Sequence, residues 1–443
     1  MKDTARQPAV RMPGGIGAAQ HYTRPMSMKR LLICLCCLAF LAPACDDGVP
    51  DDDDGPFGEL DAILSEDRPT KRSEVVAVPN EATRSIVMFG GNDAPIVNQT
   101  PRSAFRDDTW VFEPGFGWTE VGGDGPSARG RYGASADAAG GRALLFGGRY
   151  RDADAEGTDP YTLYNDLWAF DFASRTWEML DAGGGDAPDP RYYPGVVWSP
   201  QDEALYVYGG LTNTSSTNFQ ISSELFKWTD ADGWSEIPVT GDVPSPRAFF
   251  GTTLDPARNR MILFAGQIGD FQSLAYNDLY ALDLSSGAWE KLDNGGNGRP
   301  FTRMHPHLQF DSSRDRILLF GGHTDIGDDN DLWEFAGDGD RWEMVYEADR
   351  IVGERFGCLE NASEVPGDYV EQDLSAPERR QKAMVALMFD NVWLFGGMHA
   401  ECSEHLDDTW RYDLPTNTWT ELIEARTGES CLRRNDDCDC LCL

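Results

Sequence analysis

The chain has 443 residues, of which 41% are hydrophobic and 11% aromatic, and it contains 46 glycines. This composition predicts a turn-rich globular protein with an aromatic core. Asp and Glu outnumber Lys and Arg by 74 to 38, and the formal net charge is -36. Because so acidic a surface repels phosphate backbones, we expect no nucleic-acid binding. The charge is compatible with solubility alone, with cationic partners or with divalent ions.

The first segment, residues 1–44, has the layout of an export signal. Lys29 and Arg30 precede the apolar run LLICLCCLAF, which is too short to span a membrane as a helix. The run ends in APAC at residues 42–45, which resembles a bacterial lipobox. The resemblance implies that Cys45 is lipidated and becomes the new N-terminus. Ordinary signal cleavage, with Cys45 free or in a disulfide, is the alternative.

Residues 45–68 are predicted to be an acidic, disordered tether. They contain the run DDGVPDDDD, which carries too much charge to pack. A lipid on Cys45 would hold the globular part away from a membrane surface. The sequence therefore predicts an exported protein of the cell envelope, attached to a membrane only through its N-terminal lipid.

The motif Pro-x-x-Arg occurs six times, and this internal repeat determines the predicted architecture. After each motif come two short apolar runs, a glycine pair, a variable loop, and a run such as NDLWAF that begins with an acidic residue. The fourth repeat has Ala265-Gly266 in place of the glycine pair. The arginines are Arg72, Arg129, Arg191, Arg247, Arg303 and Arg380, and a tryptophan ends each repeat: Trp118, Trp177, Trp234, Trp289, Trp342 and Trp419.

The glycine pair, the aromatic residue in the next strand and the later tryptophan resemble the kelch repeat, and six copies in register make the resemblance specific. It implies an all-β fold, a six-bladed kelch-type β-propeller with four antiparallel strands per blade over residues 69–424. Residues 347–379 contain neither a glycine pair nor a tryptophan, so we expect an inserted loop instead of a seventh blade. Residues 425–443 form a cysteine-rich C-terminal tail.

In such a blade, antiparallel order places the arginine, the glycine pair and the acidic residue on the face from which the long loops emerge. We therefore expect each arginine to pair with the acidic residue of its own repeat. These partners are Asp108, Asp166, Glu224, Asp278, Asp331 and Asp408. A feature present in all six repeats is expected to be structural. The alternative is a ring of arginines that grips a carboxylate or an acidic peptide at the channel mouth.

The candidate binding residues lie on this long-loop face, where function concentrates in scaffolds of this kind. They are Arg129, Arg191, Arg247, Arg303, Arg380, Tyr193, Phe249, His305, His323 and His399. Differences between repeats, such as RAFFG in the fourth and RMHPH in the fifth, are expected to form any specific site. The predicted ligand is a protein or a glycan, and the chain is expected to be a monomer.

Five histidines fall in the last two repeats: His305, His307, His323, His399 and His405. His305 and His307 are two residues apart, so on a strand they would point the same way. A zinc or copper site is the alternative to scattered loop histidines. We predict no cofactor and assign no metal ligands, with a divalent metal as the weaker alternative.

Two enzymatic alternatives follow from the kelch resemblance. Galactose oxidase shares the propeller, but its copper-radical chemistry uses a tyrosine crosslinked to a cysteine. No cysteine lies between Cys45 and Cys358, and those site residues cannot be carried onto this chain. Sialic acid mutarotases of bacteria are the better enzymatic alternative, because they are exported six-bladed kelch proteins. No nucleophile–base pair or carboxylate pair stands out, so we expect a binding module and assign no catalytic residue.

The cysteines after residue 45 are expected to form disulfides, because an exported protein folds in oxidising surroundings. Cys358 in the insert and Cys402 in a loop of the last repeat lie on the same face and are predicted to pair. The tail cysteines are expected to form two bridges with the pairing left open, and a thiolate metal site is the alternative. They are Cys431, Cys438, Cys440 and Cys442.

Overall fold

The computed structural model describes residues 67–425 apart from 95, 98–99, 102–103, 153–160, 215–218, 269–274, 297, 325–326, 338, 340, 348–374 and 400–403. The predicted signal peptide, Cys45, almost all of the tether and the tail cysteines lie outside these residues. Cys358, Cys402 and most of the insert 347–379 also lie outside them.

The described residues form six antiparallel four-stranded blades, each made from one continuous stretch of chain. The strands of blades 1 to 3 are Ala77–Asn80, Ser85–Phe89, Thr109–Glu113 and Gly117–Val121; Gly133–Asp137, Arg142–Phe146, Leu167–Asp171 and Thr176–Asp181; and Gly195–Ser199, Ala204–Tyr208, Leu225–Thr229 and Gly233–Ile237. Those of blades 4 to 6 are Gly251–Asp255, Arg260–Phe264, Leu279–Asp283 and Ala288–Asp293; His307–Asp311, Arg316–Thr324, Gly327–Ala336 and Trp342–Tyr346; and Met384–Met388, Asn391–Phe395, Thr409–Asp413 and Thr418–Ile423. The predicted six-bladed propeller is confirmed.

Within each blade, strands adjacent in sequence are adjacent in the sheet, and the first strands of neighbouring blades contact one another around a central channel. Short turns join the first to the second strand and the third to the fourth, and they emerge on one end, which we call the turn face. The longer connections emerge on the opposite end, the loop face.

Small additions extend the blades. Short two-stranded ribbons follow the second strand in three blades: Ile96–Val97 with Thr100–Pro101, Arg149–Arg151 with Tyr161–Leu163, and Met398–His399 with Glu404–His405. In blade 4, Thr240–Gly241 pairs in parallel with the last strand, and in blade 5, Arg303–Met304 pairs with the long second strand. Among the described residues, no helix has the length and apolar character needed to cross a bilayer.

The tryptophan of each fourth strand packs against the aromatic residue that precedes the glycine pair of the preceding blade. The ring centroids of these pairs lie 4.8 to 5.5 Å apart. The pairs are Trp118–Phe395, Trp177–Phe89, Trp234–Phe146, Trp289–Tyr208, Trp342–Phe264 and Trp419–Phe320. The tryptophans therefore fill the wedges between blades, as aromatic side chains of this size can.

Blade 6 closes directly onto blade 1. The amide of Gly397 donates to the carbonyl of Arg72 at 2.8 Å, and Trp118 Nε1 donates to Thr409 Oγ1 at 3.2 Å. The first glycine of the pair has a positive φ, and a Cβ on Gly396 would lie 2.7 Å from the Arg72 carbonyl oxygen. Glycine is therefore required at this point because two backbones approach closely with a left-handed conformation.

Candidate functional site

Each arginine of the Pro-x-x-Arg motif is buried and binds the acidic residue predicted for it. In blades 1, 2, 4, 5 and 6 both terminal nitrogens donate to both carboxylate oxygens, at 2.5 to 3.4 Å. Arg Nη1 also donates to the carbonyl of the first residue of the glycine pair, as from Arg129 to Gly147 at 3.2 Å. The predicted pairing is confirmed, and it joins the start of the first strand to the second and third strands.

Blade 3 departs from this pattern. Arg191 donates to only one oxygen of Glu224, at 3.2 Å, and also to Ser222 Oγ. In the other blades a Trp or Tyr two residues after the acid donates to it, but blade 3 has Phe226, over which Arg191 stacks at 5.3 Å. The longer glutamate side chain is half-exposed, so this pair is the most solvated of the six.

The guanidinium groups of five candidate binding residues are therefore already in ion pairs within their own blades: Arg129, Arg191, Arg247, Arg303 and Arg380. All five side chains are at most 2% exposed. Breaking such a pair to reach a ligand would leave a buried charge without its partner. Binding by these arginines stays a prediction, and the geometry favours the structural role.

Two residues after each arginine, the six blades contribute six different side chains to one ring across the channel. We call this set the central ring: Glu74, Arg131, Tyr193, Phe249, His305 and Lys382, whose φ angles are 67°, 60°, 54°, 62°, 54° and 56°. Left-handed backbone costs a non-glycine residue about 1–2 kcal/mol. Four backbone hydrogen bonds join successive members, as from the amide of Arg131 to the carbonyl of Glu74 at 3.0 Å.

Five of the ring side chains contact one another, whereas Lys382 Nζ lies 3.5 Å from Met398 Sδ. Arg131 Nη2 donates to Glu74 Oε1, and the Arg131 guanidinium lies 4.9 Å from the centroid of Tyr193. The centroid of His305 lies 4.8 Å from that of Tyr193 and 4.9 Å from that of Phe249. Glu74 and Arg131 therefore form an ion pair, and Tyr193, Phe249 and His305 form an aromatic cluster that Arg131 joins through a cation–π contact.

The electrostatics of the ring follow from its burial. Burial would raise the pKa of Glu74, but the Arg131 charge outweighs it and lowers the pKa to about 2. Burial, with Arg131 nearby, lowers the pKa of Lys382 to about 8. Burial also lowers the pKa of His305 well below its ordinary value, so this imidazole is neutral at pH 7. At neutral pH the ring carries one anion and two cations.

The other histidines do not join the ring. His307 Nε2 accepts from the amide of Ala383 at 3.2 Å, whereas His305 stacks on Tyr193 and Phe249, so the expectation that His305 and His307 point the same way is wrong. The reason is the left-handed φ of 54° at His305, which interrupts the strand alternation.

The other two histidines of the candidate binding set lie near the loop face. His323 Nδ1 lies 2.8 Å from Asp328 Oδ1, and the buried His399 has Nε2 3.8 Å from Glu378 Oε1. Among the described residues, no group of three or more His, Cys, Asp or Glu side chains is arranged to hold a metal ion.

A cavity of about 410 Å³ follows the inner strands from the central ring to the turns at their far ends. Its ring end is lined by Glu74, Arg131, Tyr193, His305 and Lys382. At the other end it is lined by Pro79, Pro256, Ser312 and Leu387, which lie by the turns between first and second strands. The space behind the ring therefore extends toward the turn face, away from the loop face on which the sequence placed the candidate site.

Sequence reasoning identified three ring members, Tyr193, Phe249 and His305, and missed the charged half. Glu74, Arg131 and Lys382 share no residue type with them, so a search for a common motif passes over this position. The available signal was the register, because all six stand two residues after the repeated arginine.

The chain is similar to known families over most of its length. The family model described as the KLHDC2/KLHL20/DRC7 Kelch-repeats domain matches residues 61–229 and 201–362, and the Kelch motif model matches residues 390–422.

Three curated relatives show the extent of the similarity. Tip elongation aberrant protein 1 of Schizosaccharomyces pombe is 31% identical over 191 residues, 43% of this chain and 15% of that protein. Kelch domain-containing protein 3 of Bos taurus is 25% identical over 313 residues, 69% of this chain and 73% of that protein. Kelch domain-containing protein 10 of Homo sapiens is 23% identical over 287 residues, 63% of this chain and 57% of that protein.

Proposed function

The chain belongs to the Kelch-repeat proteins, and from that premise we propose that it is a protein-binding module of the cell envelope, monomeric and tethered through a lipid on Cys45. Kelch propellers are typically protein-interaction modules, which supports the binding role. The envelope location is supported by the pattern at residues 29–45 and by the acidic run after it.

The observation that carries the binding proposal is a group of exposed apolar side chains on the loop face of blade 4. Val243, Ile268 and Phe301, which we call the loop-face patch, are 39%, 45% and 46% exposed. They make up half of the exposed large hydrophobic residues in the described part of the chain. The others, Phe116, Met179 and Met344, are dispersed over the turn face and two outer strands.

Hydrogen bonds hold the three segments of the patch beside one another. Ser245 Oγ donates to Tyr276 Oη at 3.3 Å, which joins the segment of Val243 to the loop that follows Ile268. In the same loop, Asn277 Nδ2 donates to the carbonyl of Pro300 at 2.9 Å, next to Phe301. Exposed apolar groups with a polar rim are typical of protein–protein contacts, and the acidic surface would speed the approach of a basic partner.

The test is capture of envelope proteins on the immobilised chain, followed by titration of the captured and purified partner. We expect the triple variant Val243→Ser, Ile268→Ser, Phe301→Ser to lose binding. The matched control, Phe116→Ser, Met179→Ser, Met344→Ser, removes the same number of exposed hydrophobic side chains elsewhere and is expected to keep it.

Equal affinity of both triple variants for the partner would contradict the proposal. A glycan array run in parallel distinguishes a carbohydrate ligand, and turnover of a bound sugar would replace the binding role by an enzymatic one of the mutarotase type. We propose no copper-oxidase activity.

A further inference from the structure

The cavity behind the central ring is lined at equivalent positions by the innermost strand of every blade. Seven residues after the repeated arginine, each blade contributes an apolar residue to the wall. We call these six residues the apolar collar: Pro79, Ala136, Trp198, Leu254, Phe310 and Leu387. Five residues after the arginine, each blade again contributes a lining residue, and all of these are aliphatic except Thr252. Residues two apart on a strand lie on the same side of it, so the two levels form one apolar wall along the channel.

This wall is uncharged in a chain whose formal net charge is -36. Among the described residues that line the cavity, only Glu74, Arg131 and Lys382 are charged at pH 7, and all three belong to the central ring. The stretch between the ring and the turn face therefore offers no ionic partner to a charged ligand, which would lose its hydration there without compensation.

Polar side chains along the wall are hydrogen-bonded to the backbone of the next blade. Ser135 Oγ accepts from the amide of Trp198 at 2.8 Å. Gln309 Nε2 donates to the carbonyl of Val385 at 3.2 Å, and its Oε1 accepts from the amide of Leu387 at 3.2 Å. These polar groups are satisfied within the protein, so the wall presents mainly apolar surface to a ligand.

The cavity is accessible from the turn face. Pro256 and Ser312, which line it at that end, are exposed, and five of the six collar residues are partly exposed. A first strand such as Gly133–Asp137 has five residues and spans about 16 Å, so the space of about 410 Å³ is elongated along the channel. Protein interiors are close-packed and apolar surface is driven out of water, so an apolar space of this size favours an apolar ligand.

We propose that the apolar collar and the channel behind it bind the aliphatic chain of a fatty acid, a fatty alcohol or a lipid. The chain enters tail first from the turn face, and its methyl end lies toward the central ring. The polar head stays in solvent, beside the turns that carry Pro256 and Ser312. This site is separate from the loop-face patch and does not depend on the protein-binding role.

The experiment is isothermal titration of the purified chain with octanoate, 1-octanol and monomeric octanoyl lysophosphatidylcholine, which carry eight-carbon chains on three different heads. We expect one-to-one binding of at least one of them, and the tightest one identifies the class of head. 1-Hexanol and 1-butanol are the matched shorter probes. Because the chain is buried, we expect the affinity to fall about fourfold for each methylene removed.

Two collar variants locate the bound chain. Ala136→Phe fills the collar, and Leu387→Asp places a charge in it at a partly exposed position. Each is expected to weaken the eight-carbon ligand tenfold or more, with thermal unfolding to verify that the variant is folded. Ala138→Phe, on the exposed turn that follows the same strand as Ala136, is the matched control and should bind as the parent does.

Binding of none of the three eight-carbon probes, or equal affinity for 1-butanol and 1-octanol, overturns the proposal. Parent-like affinity in the folded collar variants also overturns it. The loop-face triple variant should bind the probe as the parent does, and a loss of binding there would assign the probe to the loop-face patch instead of the channel.

Discussion

Arg380 and Asp408 form a two-point ion pair, with Nη1 2.6 Å from Oδ1 and Nη2 2.7 Å from Oδ2. Nη1 also donates to the carbonyl of Gly396 at 2.9 Å, and Trp410 Nε1 donates to Asp408 Oδ2 at 2.8 Å. Burial would raise the pKa of Asp408, but the Arg380 charge outweighs it and holds the pKa below its ordinary value. The pair therefore stays ionised inside the protein and fastens the first strand of blade 6 to the second and third.

Asp408→Asn is expected to lower the free energy of unfolding by about 3–5 kcal/mol, because it leaves the Arg380 charge buried without its partner. Glu224→Gln in blade 3 is the matched control. Its carboxylate is 49% exposed and makes one contact with Arg191, so we expect a loss of about 0–1 kcal/mol. Denaturant unfolding of both variants measures the difference. An Asp408→Asn variant with unchanged stability and lost partner binding would show that the pairs serve recognition and not the structure. Equal losses in the two variants would contradict the expected effect of burial on the contribution of each pair.

Asp329 makes stability depend on pH in the opposite sense to Asp408, although Arg303 Nη2 lies 3.9 Å from Asp329 Oδ2. Burial and then the negative charge of Asp331 raise its pKa to about 6 from 3.8. Since the folded pKa is above the unfolded one, its contribution to stability is complete below pH 3.8 and is lost as the pH rises through 6. Asp329→Asn retains an oxygen to accept the amides of Asn330 and Asp331 and does not ionise.

The thermal midpoint of Asp329→Asn minus that of the parent should therefore increase between pH 4 and pH 6.5 and stay constant above pH 6.5. Scanning calorimetry at half-unit pH steps measures the difference. Parallel profiles across the whole range would mean that the pKa of Asp329 is the same in the folded and unfolded states.

Repetition explains how much of the fold could be predicted. The arginine, the glycine pair and the tryptophan (Trp118 in the first repeat) each have a structural role that recurs in every blade. Six copies of this pattern therefore predict the architecture and the ion pairs. The central ring carries a different residue in each repeat. In a single repeat, Glu74 or Lys382 therefore resembles ordinary surface variation. Its left-handed backbone is also hidden, because no glycine or asparagine marks those positions. The cavity behind it depends on how six blades close, which no single repeat encodes.

Trp118 is the side chain that closes the propeller between blades 6 and 1. It is 1% exposed, lies 4.8 Å from the ring of Phe395 and donates to Thr409. Trp118→Ala is expected to cost about 3–5 kcal/mol of unfolding free energy through the cavity it leaves. We also expect faster amide hydrogen exchange in blades 1 and 6 than in blades 3 and 4. Phe116→Ala, at 61% exposure, should change stability by less than about 0.5 kcal/mol.

Uniform amide exchange across all six blades of Trp118→Ala would mean that the contact between blades 6 and 1 is as stable as the other contacts between blades.

The proposed lipidation of Cys45 predicts a specific chemical product. When the full chain is expressed in a bacterial host with an alkyne-tagged fatty acid, we expect the label on the chain and the chain in the membrane fraction. Cys45→Ser should lose both, because a serine accepts no thioether-linked lipid. Cys34→Ser, within the apolar run, is the matched control and should keep them. An unlabelled parent chain that is released after cleavage would support ordinary signal cleavage instead.

Lys382 makes the central ring sensitive to alkaline pH. Burial first, and then the Arg131 charge, lower its pKa from 10.5 to about 8, and Arg149 acts in the same direction while Glu74 and Asp328 oppose it. Because the folded pKa is below the unfolded one, protonated Lys382 disfavours folding below pH 8, and this penalty is relieved as the pH rises toward 10.5. Lys382→Met removes the charge at similar length. The midpoint of the parent, measured relative to Lys382→Met, should therefore rise between pH 7.5 and pH 9.5. A constant difference would mean that the pKa of Lys382 is the same in the folded and unfolded states, as for an exposed ammonium.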